Sequence, residues 1–350
     1  MKLYWKKKLT AAAALVLALL TLVGCSGGRS VKKTAKLERP AMEVGSKFAD
    51  YVIPWYLDAS AEAKEAGTLD FYFMSINNMP FGEDSSEPGK WGDSCLIVFP
   101  NGETMLIDGG EGEYAVLLQQ NLKYLGVEKI DHLVFSHPHS DHCYGIVGNG
   151  GLLENFEVGH AYYNGMYNIK WGDPQIIENK TAALGIPLTL WKEGDTAEIG
   201  GVSIEVLGPD ETCAGRESAQ TDTINNNSLL LRFDYNEFSA LFTGDLYAKA
   251  EMDYVMDIPE KLDVDLLKIP HHGHETSSTT AFIKVVSPEV AVATGNVEMP
   301  GNVYNDYKRY DTDVYLDYAD GYIFVSTDGK KINVETSHER NTDIYDKYDK

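Results

Sequence analysis

Four times along this chain a short apolar run ends in side chains that bind protons or metals. Residues 104–107 lead into Asp108-Gly109-Gly110, and residues 130–135 (IDHLVF) lead into His137-Pro138-His139-Ser140-Asp141-His142. Residues 240–243 lead into Gly244-Asp245, and residues 266–269 into Pro270-His271-His272. Each run is short and rich in β-branched, aromatic or leucine side chains, the pattern of a buried strand. Strand ends are where a rigid scaffold aims polar side chains at one point. The fold must therefore bring four strand ends together.

The remaining elements fit that demand. Strands are predicted at 69–75 and 95–99, the latter joined to 104–107 by the turn Pro100-Asn101-Gly102-Glu103. A helix is predicted over 113–125, with Leu118, Leu122 and Leu125 on one face and Gly126 as its stop signal. Further strands follow at 202–207, 229–233, 239–243, 265–269 and 290–294, with a helix at 278–286. The pair 229–233 and 239–243 forms a hairpin around Tyr235-Asn236, and a last hairpin, 322–326 with 331–335, turns at Asp328-Gly329. Hairpins mixed with single helices predict a mixed α/β (α+β) fold of two helix-covered sheets, not a doubly wound parallel sheet.

The amino terminus carries Lys2, Lys6, Lys7 and Lys8 before an apolar stretch, 9–23, that is short for a membrane span. Leu22-Val23-Gly24-Cys25 resembles the lipobox of bacterial lipoprotein signal peptides, which implies cleavage before Cys25 and a lipid on its thiol. The expected layout is a signal peptide over 1–24, a tether and lead-in over 25–67 with a short helix at 58–66, one large domain over 68–338, and a polar tail over 339–350. The body is placed outside the cytoplasmic membrane, in the cell envelope. Net charge is −23 and becomes −27 once the four leader lysines are gone, which disfavours nucleic acid as a partner. Apart from Cys25 there are Cys95, Cys143 and Cys213, too few and too dispersed for a disulfide framework.

His137 and His139 stand two apart, so an extended backbone turns both imidazoles the same way, and Asp141 with His142 can serve a neighbouring position. Imidazole and carboxylate donors suit Zn²⁺, and also Mn²⁺ or Fe. Two divalent ions about 3.5–4 Å apart act as a clamp on attacking and leaving oxygens. Asp245 is the free carboxylate best placed to bridge such a pair. His271 and His272 are both candidate ligands, and spacing does not choose between them.

The order Leu106-Ile107-Asp108-Gly109, His-x-His-x-Asp-His, Thr243-Gly244-Asp245, His271-His272-Gly273 resembles the metallo-β-lactamase superfamily over residues 69–336. That resemblance implies a four-layer αββα sandwich with a dinuclear metal site at the sheet edges. Gly92-Asp93-Ser94-Cys95-Leu96-Ile97, Asn226-Asn227-Ser228-Leu229 and Lys268-Ile269-Pro270-His271-His272-Gly273 are similar to the hydrolase domain of ComEC-type DNA-uptake proteins and to the Gram-positive phosphorylcholine esterase. Both relatives act on phosphodiesters. In this chain residues 79–90 widen the loop before Gly92, and only His160 lies between the His-rich motif and Asp245, too early to be the further ligand that many members have. Asn227 and Ser228 stand where that ligand would be.

Asp108 is expected to orient a histidine or water, and Asn227, Ser228, His274 and Ser277 to support ligands or meet substrate. Tyr162, Tyr163, Tyr167 and Trp171 are weighed as a cation-binding cage against plain packing. His132 is read as structural and Cys143 as incidental. The expected activity is that of a surface-anchored metal-dependent phosphodiesterase using a metal-bound hydroxide, with Asp141 or Asp245 orienting the nucleophile. The alternatives are a ComEC-like nuclease, a lactonase or β-lactamase-type acyl hydrolase, and a non-catalytic metal-binding lipoprotein.

Overall fold

The computed structural model describes residues 67–76, 91–337 and 345–348, all within the compact unit Glu38–Lys350. The leader, the tether with its expected helix at 58–66, residues 79–90 and His338 lie outside the described residues. The chain opens with strands β1 (Leu69–Phe73), β2 (Cys95–Val98) and β3 (Thr104–Ile107), then helix α1 (Ala115–Tyr124), strand β4 (Lys129–Phe135), helix α2 (Ser140–Val147) and strand β5 (Glu157–Tyr163). A two-residue strand β6 (Tyr167–Asn168), helix α3 (Ile176–Ala183) and strand β7 (Leu188–Leu190) follow. The second half contributes β8 (Thr196–Ile199), β9 (Val202–Gly208), β10 (Glu217–Ser218), α4 (Thr221–Asn225), β11 (Leu230–Tyr235) and β12 (Phe238–Phe242). Helix α5 (Ala248–Asp257), β13 (Leu266–Lys268), α6 (Thr280–Val286), β14 (Val290–Ala293), α7 (Gly301–Arg309) and β15 (Asp313–Leu316) come next, and β16 (Ile323–Thr327) and β17 (Ile332–Thr336) close the order.

One sheet runs β17-β16-β1-β2-β3-β4-β5-β7 and the other β15-β14-β13-β12-β11-β9-β8. Each is antiparallel in one half and parallel in the other: β3-β4-β5-β7 are parallel in the first, β12-β13-β14-β15 in the second. The final hairpin returns to pair β16 with β1, with Phe71 opposite Val325.

The strands sort their side chains by the two-residue period of extended chain. Leu69, Phe71 and Phe73 enter the core between the sheets, whereas Tyr72 enters the core under the helices of the first half. Ile97, Met105, Ile107 and Val134 meet Val206, Leu231, Phe233 and Phe242 between the sheets. Leu96, Leu106, Leu133 and Phe135 pack under α1 and α2, and Leu241, Leu267, Ile269 and Ala291 under α6 and α7. Helix, sheet, sheet, helix is the four-layer order the sequence led us to expect. Both faces of the central strands are covered, which is why they read as near-continuous apolar runs.

Two features differ from expectation. Residues 345–348, expected within a polar tail, bury Tyr345 and Tyr348 against Tyr304, with the Tyr304–Tyr348 rings stacked at 4.3 Å. Charged neighbours mask this amphipathic pair in the composition. The helix expected at 113–125 begins as a 3₁₀ turn, Gly112–Tyr114, before α1 proper. Cys95, Cys143 and Cys213 are all free and buried.

Phe71 stands at the centre of the aromatic set between the sheets, 5.9 Å from both Phe238 and Phe242 and 6.5 Å edge-on from Phe233. Phe71→Ala should therefore destabilise the protein by about 3–5 kcal/mol, read as a lowered urea midpoint at unchanged slope. A loss below about 1 kcal/mol would show that the sheets do not depend on this contact.

Candidate metal centre

The carboxyl ends of two parallel strand pairs, β3/β4 and β12/β13, carry the candidate residues to one place. β4 ends at Phe135, and His137 follows fully buried. His139 is the extended residue that precedes α2, and Asp141 lies in that helix's first turn, where the dipole favours a carboxylate. Ser228 Oγ accepts the backbone N–H of Asp245 at 3.1 Å and so fixes the turn after β12.

Asp245 Oδ2 is the focus of the site. It lies 3.2 Å from His142 Nε2, 3.5 Å from His272 Nε2, 3.8 Å from His137 Nε2 and 3.9 Å from His271 Nε2. Asp141 Oδ2 is 3.5 Å from His272 Nε2 and 3.8 Å from His142 Nε2. Two groups with ligand atoms within 4.8 Å of one another result: Asp141, His142, Asp245 and His272, and His137, His139 and Asp245. Asp245 belongs to both, as its expected bridging place requires.

The far sides of the His142 and His272 rings are anchored. His142 Nδ1 bonds Asp108 at 2.8 Å, and Asp108 also accepts Ser136 N–H at 2.8 Å and Ser136 O–H at 2.5 Å. His272 Nδ1 donates to the Thr294 carbonyl at 3.0 Å. Gly295 makes room for that ring, since a Cβ there would lie 2.5 Å from His272 Nδ1. Asp108, His271 and His272 all hold left-handed backbone (φ 58°, 47° and 56°), a cost of about 1–3 kcal/mol each that clusters where geometry serves function.

Three buried atoms at the focus have no hydrogen-bond partner: His142 Nε2, His272 Nε2 and Asp245 Oδ1. An imidazole fixed through one nitrogen and free at the other is how a metal ligand is oriented. The nitrogen and carboxylate donors fit a divalent ion of the Zn, Mn or Fe kind.

Burial opposes charge on every histidine here. It pulls His137 well below the ordinary value, His139 below it, and His271 to about 4. At His142 and His272 burial is outweighed by the carboxylates, chiefly Asp245, so His142 rises well above the ordinary value and His272 to about 9. Asp245 is raised by burial but lowered more by His142 and His272, which hold it well below the usual carboxylate range.

Several expected residues fall elsewhere. His271 bonds Thr276 Oγ1 at 2.5 Å and lies outside both groups, so between the adjacent histidines the structure favours His272. Asn227 gives its amide to the Thr223 carbonyl at 2.7 Å, with Cys213 Sγ 3.3 Å from its oxygen, so it does not replace the absent ligand. Ser277 Oγ donates to the Leu246 carbonyl at 2.6 Å, a buried structural bond, and the residue beside it, Thr276, faces the cleft instead. His274 does line the cleft. Of the four aromatics weighed as a cage, only Trp171 lines it. Tyr162 stacks on Trp191 at 4.0 Å, Tyr163 bonds the Met166 carbonyl, and Tyr167 bonds Glu178 at 2.6 Å. His132 sits between Glu103 and Tyr162, and His160 bonds Thr189.

The cleft over the centre measures about 680 Å³ and is walled by Trp91, Tyr144, Trp171 and Tyr247. Trp91 packs 5.1 Å from His271 and 5.4 Å from His272. Asn225, on the same wall, is buried beside Tyr247 with neither amide atom hydrogen-bonded. Sequence reasoning did not single out Trp91, Asn225 or Tyr247; the Asn-rich run 225–227 was the available signal, read two residues too late.

The two raised histidines give a pH signature. In the metal-free protein their protons contribute stability that is complete below about pH 6.5 and lost as pH rises through their raised values, about 9 for His272. Metal must displace them, so zinc binding near pH 7.5 should release protons, and affinity should rise with pH until about 9. Calorimetric titration in buffers of differing ionisation enthalpy reads this directly; binding without proton release would contradict the assignment.

Residues 89–294, more than half of the chain, match the family described as Metallo-beta-lactamase superfamily. ComE operon protein 3 of Bacillus subtilis (strain 168) is 26% identical over 168 residues, 48% of this chain and 20% of that protein. Competence protein ComA of Neisseria gonorrhoeae is 33% identical over 226 residues, 63% of this chain and 29% of that protein. The chain thus spans less than a third of the length of either relative. Among solved structures, the metallo-beta-lactamase fold protein YhfI from Bacillus subtilis aligns with 71% of this chain and 96% of its own at 13% identity and a TM-score of 0.47. With its His-x-His-x-Asp-His segment and Asp245 gathered at one cleft, the chain belongs to the metallo-beta-lactamase superfamily of hydrolases and is related to ComEC-type competence proteins.

Proposed function

We propose that this protein is a metal-dependent phosphodiesterase held by a lipid on Cys25 to the outer face of the cytoplasmic membrane. The observation that carries the reading is the sharing of Asp245 by two candidate metal groups at the floor of an open cleft. Divalent ions bound there supply Lewis acidity for a phosphoryl oxygen and ease the ionisation of water. The chain's own residues do the rest. Asp108 and the Thr294 carbonyl hold His142 and His272 in one orientation. Asp141 and Asp245 are the carboxylates in reach of a water in the cleft and orient it for attack. Lys170 is the one lysine or arginine among the described residues that line the cleft, and its ammonium would pair with a phosphate's charge.

The resemblance to ComEC-type and phosphorylcholine esterase sequences supports a phosphodiester over an acyl substrate, as does the interval between the His-rich motif and Asp245, whose one histidine, His160, bonds Thr189 away from the centre. Net charge and a single lysine among the described residues of the cleft weigh against a nucleic-acid strand, whose binding rests on many phosphate contacts. A small diester, or one borne on a surface polymer, is the better match to aromatic walls around one cation.

The full chain, solubilised in detergent and loaded with zinc, should hydrolyse p-nitrophenyl phosphorylcholine or bis(p-nitrophenyl) phosphate. Asp245→Ala should lower the rate on the order of 100-fold or more. If the metal-loaded protein turns over neither diester, the phosphodiesterase reading fails and acyl substrates come forward. Cys25→Ala should abolish incorporation of labelled palmitate and move the protein out of the membrane fraction; continued labelling would rule out Cys25 as the anchor.

A further inference from the structure

Two motif residues remain without a role in the centre as described: Asp93 of Gly92-Asp93-Ser94-Cys95 and Lys268 of Lys268-Ile269-Pro270-His271. The fold joins them. Lys268 closes β13 with its side chain buried, and its ammonium is ion-paired with Asp93 Oδ2, also buried. A lysine is seldom buried unless paired, and a pair in such a place must be held by further bonds.

Those further bonds all lead to the candidate ligands. Asp93 N–H donates to the Asp141 carbonyl at 3.0 Å, and the Asp93 carbonyl accepts Gly110 N–H at 2.9 Å, two residues past Asp108. Asp93 Oδ1 accepts the Thr294 hydroxyl at 2.6 Å, and the Thr294 carbonyl is the acceptor that orients His272. Lys268 Nζ reaches the Gly244 carbonyl at 3.5 Å, next to Asp245, and the Lys268 carbonyl accepts the Thr243 hydroxyl at 2.9 Å. One ion pair thus touches the segments that present Asp108, Asp141, Asp245 and His272.

The pair also accounts for a third acidic group. Asp93, Asp108 and His142 bring ligand atoms within 4.8 Å of one another. His142 Nδ1 is already bonded to Asp108, however, and Asp93 to Lys268. The cavity beside them, bounded by Asp93, Asp108, Ser136, Gly244 and Lys268, measures about 10 Å³, room for about one water and none for a hydrated ion. Burial lowers the affinity of Lys268 for its proton, but Asp93, then Asp245 and Asp108, raise it more, so the ammonium persists.

We propose that Lys268 is a resident cation of the metal centre, and that its bond to Asp93 is the strut that holds the ligand loops in register. The proposal rests on reading the His–Asp cluster as a metal centre. Asp93 and Lys268 are positioning residues in it, acting through Asp141, Asp245 and His272.

The test is zinc affinity by competition with a chromophoric chelator, zinc content, and melting temperature with and without zinc. It compares the full chain with Asp93→Asn, Lys268→Met and Thr294→Val. The full chain should hold two zinc ions. Asp93→Asn and Lys268→Met should weaken zinc about 10–100-fold, Thr294→Val should weaken it severalfold, and the gap between loaded and metal-free melting temperatures should shrink. Lower melting temperatures with zinc affinity within twofold of the full chain would make the pair merely structural and overturn the strut. A third tightly held zinc in the full chain would overturn the resident cation. A full chain that binds no zinc would instead sink the metal-centre reading itself. Should Lys268→Met fail to fold, Thr294→Val, which removes only the hydroxyl that Asp93 Oδ1 accepts, decides the question.

Discussion

The structure depends on keeping one carboxylate oxygen, Asp245 Oδ2, within 3.2–3.9 Å of four histidine nitrogens in a buried place. A buried charge is tolerable only when it is paired and hydrogen-bonded. Asp93, Asp108, Asp141 and Asp245 crowd the same floor, with Lys268 as the fixed cation. The histidines that rise, His142 and His272, are those nearest Asp245, and the protons they hold stand in for cationic charge that the site is built to accept. The demand for paired charge therefore fixes the chemistry of the site before any substrate enters.

Meeting that demand at one point requires two sheets to hold a constant separation. β3 and β4 bring Asp108 and the His-rich segment from one sheet; β12 and β13 bring Asp245 and His272 from the other. The aromatic set of Phe71, Phe73, Phe233 and Phe242 between the sheets sets that spacing, close to the strand ends that carry the ligands. Left-handed backbone at Asp108, His271 and His272 is sustained where each turn follows closely on a buried strand, β3 or β13.

What the sequence made legible follows from this division. Strand ends were readable because an apolar run that stops abruptly at a histidine or aspartate is seldom ordinary packing, and Asp245 followed from its place after Gly244. The preference for His272 over His271 was not readable, since it turns on two successive left-handed residues that spacing cannot encode. The Asp93–Thr294 bond spans 201 residues, and nothing local to either residue announces it. Asn227 and Ser277 misled for one reason: residue type near a motif says nothing of which way a loop turns its side chains. Tyr345 and Tyr348 were hidden because two aromatics among charges look polar on average.

The same division separates chemistry from selection. The floor is built at strand ends, largely buried and cross-braced through Asp93 and Lys268, so a substitution there disturbs several ligands at once. Apart from Tyr144 in α2, the walls come from connecting segments and element ends: Trp91 before β2, Lys170 and Trp171 after β6, Asn225 at the end of α4, Tyr247 before α5, His274 and Thr276 before α6. None of these wall residues belongs to either metal group, so they can change without moving Asp245. Relatives that share the floor can therefore differ in substrate, because a shared set of histidines and carboxylates leaves the connecting segments around it free to vary.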